Sequence, residues 1–265
     1  MSIDKDYWKK LTFVKGDFPF LLCPKCGKGQ LKANNKNSLQ TDEIHETKMG
    51  SKTEWWEPDM SNYRFTLLLV CSKDSCLEST VCLGTGGLDR IITYDNFGDF
   101  EEEFYRPYYE PIYFLPALNI IPLKEKYPKE LKLQLANSFS HFFSDLPSCA
   151  NKIRVCIEIL MDLLNVRKTE IKSRKRKNLT LHARIIEYKK KNSEIADYFL
   201  AIKWIGNSGS HYETLTRDDI LEAYSILEYS LNKIYDNQEK AIQQLSKEIN
   251  KKKAPRSKQK KKSST

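Results

Sequence analysis

The chain has 265 residues, 40% of them hydrophobic and 11% aromatic, which is long and apolar enough for two domains with cores of their own. No apolar run reaches membrane-spanning length, since the longest, Phe65–Val70, suits a strand; Met1–Asp6 has no secretory pattern, so a soluble, cytoplasmic protein is expected. The net charge of +9 is concentrated at one end: Lys251, Lys252, Lys253, Arg256, Lys258, Lys260, Lys261 and Lys262 are eight basic residues with no acidic one among them, which leaves +1 for the rest. Residues 247–265 are therefore expected to be a disordered basic tail on a nearly neutral body. As a phosphate-tracking arm the tail would bind nucleic acid with strong salt dependence, and a merely solubilising role is the alternative.

Residues 1–118 read as a small β-rich module. Tyr63–Val70 and Ser79–Leu83 are strand-like, and Cys23-Pro24-Lys25-Cys26-Gly27 has the form of a zinc knuckle, in which the chain turns so that two thiolates face one ion. Cys71 and Cys76 form a second pair after the best strand, 44 residues beyond Cys26. A structural zinc held by Cys23, Cys26, Cys71 and Cys76 is expected, with Cys82 or His45 as alternative ligands and unligated buried thiols as the plain reading. The insert 33–61 is polar apart from Trp55-Trp56 and reads as a projecting loop, its tryptophans either packed on their own domain or stacked on bases. Cys149 and Cys156 fall in helical pattern as small core residues.

Five prolines between Pro107 and Pro128 exclude a helix there. The segment is too apolar for a free linker, and 119–128 reads as a proline-rich strap packed at the domain junction. Residues 129–246 then read as a helical bundle. Apolar spacing gives helices over 129–144, 150–165, 179–191 and 193–205, the last capped by Ser193, and a long one from Thr216 onward; Arg167–Lys177 reads as a basic loop. Thr216 and Asp219 have capping-box spacing. The polar join Gly206-Asn207-Ser208-Gly209-Ser210-His211 presents an amide and an imidazole beside two glycines, which a core helix does not need. His211 there is a capping residue, a phosphate-binding group or a catalytic base, and Arg154 with Glu158 one turn on is an intrahelical ion pair by default.

The I-I-P-L lead-in after Asn119, Cys149-Ala150 through Glu158, the Trp204–His211 segment and the Leu215–Ala223 helix start together resemble the prokaryotic family called domain of unknown function 4145. That family is similar to the HEPN domains, helical bundles that are commonly dimeric and often metal-independent ribonucleases in antiphage systems. The resemblance implies an α+β protein: a zinc-ribbon-like module, then an all-α HEPN-like bundle. Laid on the ribonuclease motif, Asn207 and His211 match, but Gly206 stands where the motif has arginine. Without that charge nothing in the motif stabilises a developing phosphorane. The implied function is a non-catalytic nucleic-acid or nucleotide-binding module in a bacterial antiphage or restriction-linked system, as a homodimer. The alternatives are an RNase toxin using His211, with Asn207 and Arg154 in support, and a protein-binding scaffold.

Overall fold

The computed structural model describes residues 3–9, 11–14, 17–33, 38–173, 175–208, 215–236, 245–251 and 253. In chain order the elements are α1 (Lys5–Lys9), β1 (Phe13–Val14), β2 (Leu31–Ala33), β3 (Leu39–Glu43), α2 (His45–Gly50), a 3₁₀ turn (Pro58–Met60), β4 (Asn62–Cys71), β5 (Ser79–Tyr94), β6 (Phe100–Leu115), α3 (Lys129–Phe139), α4 (Leu146–Leu163), β7 (Thr169–Lys172), β8 (Lys175–Asn178), α5 (Leu181–Lys189), α6 (Ser193–Ser208) and α7 (Arg217–Tyr235). The protein is thus mixed α+β, with one antiparallel sheet early in the chain and helices after it. No helix among the described residues is long and apolar enough to cross a membrane.

The sheet runs β1-β6-β5-β4-β2, with β3 also paired to β4. Alternation in β4 turns Phe65, Leu67, Leu69 and Cys71 inward and leaves Thr66 and Leu68 exposed, as the two-residue period of a strand requires. Phe13, Phe65 and Tyr109 meet at centroid distances between 5.3 and 5.7 Å and fill the centre of this core. The insert at 33–61 does not project as a loop. Its β3 pairs with Tyr63–Leu67, and Trp56 lies on Gly50, where a Cβ would stand 2.2 Å from the indole. Trp55 is the exposed member of the pair.

The proline segment is divided between two structures. Pro107 and Pro111 lie inside β6, and Pro111 sits at a register shift opposite Gly84. A bulge is where a strand tolerates a residue without an N–H. Residues 116–128 then cross from one core to the other: Leu118 is buried with the sheet, and Ile120, Ile121 and Tyr127 are buried with the helices. Lys124 donates to Asn232 Oδ1 at 2.6 Å and to Asp236 Oδ2 at 2.7 Å, and Lys126 also pairs with Asp236, fastening the crossing to the end of α7.

The helices bury one continuous core. Ile153, Ile157 and Leu160 of α4 meet Phe199 and Ile202 of α6 and Tyr224 and Leu227 of α7. Tyr224 is fully buried and its hydroxyl is answered inside, donating to Ser138 Oγ at 2.8 Å with Cys149 Sγ at 3.2 Å. Burial of this kind is acceptable only when the polar tip is paired. Four expectations are corrected here. α4 begins at Leu146, because Asp145 caps it by accepting from the Ser148 amide at 2.9 Å. α6 is capped by Asn192, which accepts from Ile195 N at 3.1 Å, and not by Ser193. Arg167–Lys177 contains a β-hairpin, turned at Ser173 with φ +52°. Residues 245–251 also take helical backbone, where a disordered tail was expected from 247.

The two cores share side chains. Trp8 of α1 and Phe143 pack against both, and Phe143 lies 5.4 Å from Phe114 of β6. α1 docks on α7 through Lys5–Glu222 at 3.3 Å, Lys9–Asp218, and Arg217 donating to the Lys9 carbonyl at 2.8 Å. The N-terminal helix therefore packs on the helices as well as on the sheet.

α7 starts with a full capping box: Asp219 N donates to Thr216 Oγ1 at 3.3 Å, and Thr216 N donates to Asp219 Oδ2 at 2.8 Å. The Thr216 hydroxyl, which donates to Asp219 Oδ2 at 2.6 Å, and then the Thr216 amide hold the Asp219 carboxyl below its usual range. A depressed carboxylate stabilises the fold above its unfolded pKa, and that contribution is lost as pH falls through the folded value. Thr216→Ala should therefore cost about 1 kcal/mol near neutral pH. Urea denaturation followed by circular dichroism should show this difference narrowing as the solution is acidified through the carboxylate range.

Candidate metal centre

Cys23 and Cys26 lie in a tight turn before β2. Gly27 N donates to the Cys23 carbonyl at 2.8 Å, Cys23 N donates to Gly29 O at 2.8 Å, and Gly27 takes φ +59°, which favours glycine. Cys71 ends β4 and Cys76 lies in the turn before β5, where Cys76 N donates to Lys73 O at 2.8 Å and Leu77 adopts φ +48°. Two ties hold the loops face to face. Ser72 N donates to Gln30 O at 2.8 Å, and Lys25 pairs with Glu78 at 2.7 Å.

The result is a four-sulfur cluster. The Sγ atoms of Cys23, Cys26, Cys71 and Cys76 all lie within 4.8 Å of one another, with Cys23–Cys76 at 3.8 Å and Cys26–Cys71 at 3.7 Å. Four thiolates at the usual zinc–sulfur length of about 2.3 Å define a tetrahedron with edges of about 3.8 Å. The donors are soft and two of the spacings match that edge, so the cluster is compatible with a tetrahedral metal ion. Gly29 completes the cradle: a Cβ there would stand 2.3 Å from Cys71 Sγ. Four protein ligands would leave an ion no open position for substrate, so the centre is suited to holding structure together.

The thiols are not electrostatically equal. The amide of Gly29, 3.3 Å from Cys26 Sγ, and that of Lys28 hold the Cys26 thiol down at about 6. Burial pushes Cys23 up to about 12 and also raises Cys71. Metal loading must then expel protons from the buried sulfurs, and acid must oppose it. Neither alternative ligand takes part. Cys82 is buried inside the sheet on β5, its thiol pushed up by desolvation, and His45 is exposed at the start of α2.

The second sequence candidate is only partly described. His211 lies outside the described residues, as do Ser210 and Gly209. Gly206 and Asn207 form the last turn of α6. A Cβ on Gly206 would come within 3.0 Å of Arg154 Cβ and 3.3 Å of the Ala150 carbonyl, so glycine here lets α6 close onto α4. Arg154 thus stands beside the motif's missing-arginine position, but its guanidinium is engaged by Glu158 at 3.2 Å. Of the tail cations, Lys251 and Lys253 are exposed, and Lys252, Arg256, Lys258, Lys260, Lys261 and Lys262 lie outside the described residues.

The full extent of one surface, read from the sequence only as a basic loop over Arg167–Lys177, was hidden by summing charge over the whole body. Residues 167–191 hold eleven Lys and Arg against two acidic residues, which leaves the chain outside this segment and the tail net negative. Several of these cations are occupied: Arg184 is buried against Asp162 and the Val166 carbonyl, Lys168 pairs with Asp162, Arg167 with Glu187 and Lys189 with Asp197. Lys172, Lys175 and Lys177 on the hairpin, and Lys190 and Lys191 beyond α5, have no ion pair among the described residues. A windowed charge count along the sequence would have found this segment.

A β module with a four-cysteine cluster, joined by a partly buried crossing to a helical bundle, is the class of protein the fold defines. Residues 11–114, which carry all four clustered cysteines, match the family model described as Domain of unknown function (DUF8608), and residues 137–252 match that described as Domain of unknown function (DUF4145). The second match agrees with the resemblance read from the helical half. No curated protein sequence and no solved structure matches the chain.

Replacing Cys71 by Ser should abolish retention of a metal ion through dialysis, read by elemental analysis, and Gly29→Ala should weaken it by crowding Cys71 Sγ. Cys82→Ser should leave metal content unchanged. Acidification should release the ion from the native chain, in the direction set by the raised Cys23 and Cys71 thiols.

Proposed function

We propose that this chain is a non-catalytic nucleic-acid or nucleotide-binding protein, built from a zinc-ribbon-like module with one structural zinc and a HEPN-like helical bundle. The observation that supports it is the segment 167–191, where Lys172, Lys175, Lys177, Lys190 and Lys191 stand exposed on a hairpin and a helix end without acidic partners among the described residues. A two-stranded hairpin with every residue of β8 exposed contributes nothing to a core, so its lysines serve the surface, and clustered unpaired cations are the footprint of a polyanion site. The basic tail adds eight further cations to the chain. Zinc serves to fix the β module against the crossing segment, since Asn119 Nδ2 donates to the knuckle carbonyl of Pro24 at 2.8 Å. A place in an antiphage or restriction-linked system is the biological setting that the family resemblance supplies for such a binder.

The ribonuclease reading has one specific observation in its favour, the packing of Arg154 against Gly206. Its pairing with Glu158 tells against it, because a guanidinium already compensated by a carboxylate offers less charge to a phosphorane.

Fluorescence anisotropy with labelled single-stranded RNA should show binding that weakens steeply with salt. Lys175→Glu with Lys177→Glu should lower the affinity and flatten the log–log salt slope by about two, and deletion of 251–265 should flatten it further. The RNA should stay intact in metal-free buffer. Cleavage that His211→Ala abolishes would replace binding by catalysis, and no binding even at low salt would end the polyanion reading. Elemental analysis should find about one zinc per chain.

A further inference from the structure

β5 and β6 outrun the rest of the sheet. β4 leaves β5 at Gly87, and β1 touches β6 only at Tyr108 and Tyr109, so residues 88–106 form a two-stranded ribbon that no third strand joins among the described residues, with only its base flanked by the 3₁₀ turn and by residues 12–19. Its tip is ordered by its own turn: Asp95 Oδ1 accepts from Phe97 N at 2.8 Å and from Asp99 N at 2.9 Å, and Gly98 takes φ +89°. Such a ribbon is marginal in water by itself. Yet it displays aromatic residues: Phe97 is 92% exposed, and Tyr94 and Phe100 are more than half exposed. It is also acidic. Asp89, Asp95, Asp99, Glu101, Glu102 and Glu103 face only two cations, Arg90 and Arg106, which are engaged by Glu103 at 2.9 Å and Asp89 at 4.0 Å.

A clustered aromatic tip on a soluble chain marks a contact surface, and its charge restricts the occupant. Pairing two ribbons edge to edge would bring two carboxylate-rich strands together, which their like charge opposes. The complementary surface is on the same chain: the β7–β8 hairpin is cationic at Lys172, Lys175, Arg176 and Lys177, and carries at its centre Ile171, 83% exposed. We propose that the ribbon 88–106 docks on the β7–β8 hairpin of a second copy of this chain, the aromatic tip covering Ile171 and the acidic strand facing the hairpin lysines. Arranged about a two-fold axis, the contact would be made twice in each dimer and would close rather than grow into a filament. The hairpin is also the surface assigned to nucleic acid above, so a polyanion competes with the ribbon for it.

Sedimentation equilibrium on nuclease-treated full-length protein at low salt tests this. The native chain should show twice its 31.0 kDa mass and dissociate as salt rises. Glu101→Lys with Glu102→Lys should give a monomer, as should Lys175→Glu with Lys177→Glu and, separately, Phe97→Asp; circular dichroism checks that each variant is folded. Mixing the two charge-reversed chains should restore the dimer, because both contacts in the mixed pair are again complementary. The ribbon reversal should retain RNA affinity while the hairpin reversal loses it, which separates self-association from polyanion binding. A native chain that is monomeric at every concentration overturns the proposal, as does a dimer that persists through either reversal.

Discussion

Four sulfurs held within 4.8 Å of one another are the constraint on which the β module depends. They come from two loops 44 residues apart, and the backbone bonds of those loops are spent on aiming thiols inward. As thiolates alone they would repel one another, and burial already opposes ionisation at Cys23 and Cys71. A divalent cation reverses both effects, because it compensates the charge in the place where solvent cannot. The order of this corner then passes along the chain. β2 pairs with the last residues of β4, Lys25 meets Glu78, and Asn119 bonds the knuckle to the segment that crosses into the helices.

The crossing segment and α1 make two domains behave as one body. Leu118 lies in one core and Ile121 in the other, and Trp8 and Phe143 close the seam between them. Lys124 and Lys126 fasten the far end of the crossing to Asp236. Ion pairs of this partly exposed kind contribute little individually, so the seam is held chiefly by its buried apolar and aromatic side chains.

Charge is segregated rather than balanced. A ribbon rich in carboxylates projects from the sheet and a hairpin rich in lysines projects from the bundle, and both consist of two strands with little or no core beneath them. Burial does not account for either composition. Opposite fields on two projecting elements of one chain are the feature that both the proposed contact between copies and the proposed polyanion site would use.

The sequence by itself determined what depends on local pattern. Period-two alternation placed β4, helical periodicity placed α4 and α7, Thr216 and Asp219 formed the box their spacing requires, and the Cys23–Cys26 knuckle named its partners because thiol chemistry allows few substitutes. It did not reveal that Cys82 turns into the sheet, which depends on strand register, nor that Lys5–Lys9 docks on α7, which depends on partners more than 200 residues away. The basic hairpin read as a loop because its strands are short and polar on both faces, so no alternation betrays them. The role of Gly206 also needed three dimensions. From the sequence it was a missing arginine, and in the fold it is the gap through which α6 reaches α4 and Arg154. Patterns fixed by nearest neighbours along the chain are legible in one dimension, whereas register, docking and the sum of distant charges exist only once the chain has closed on itself.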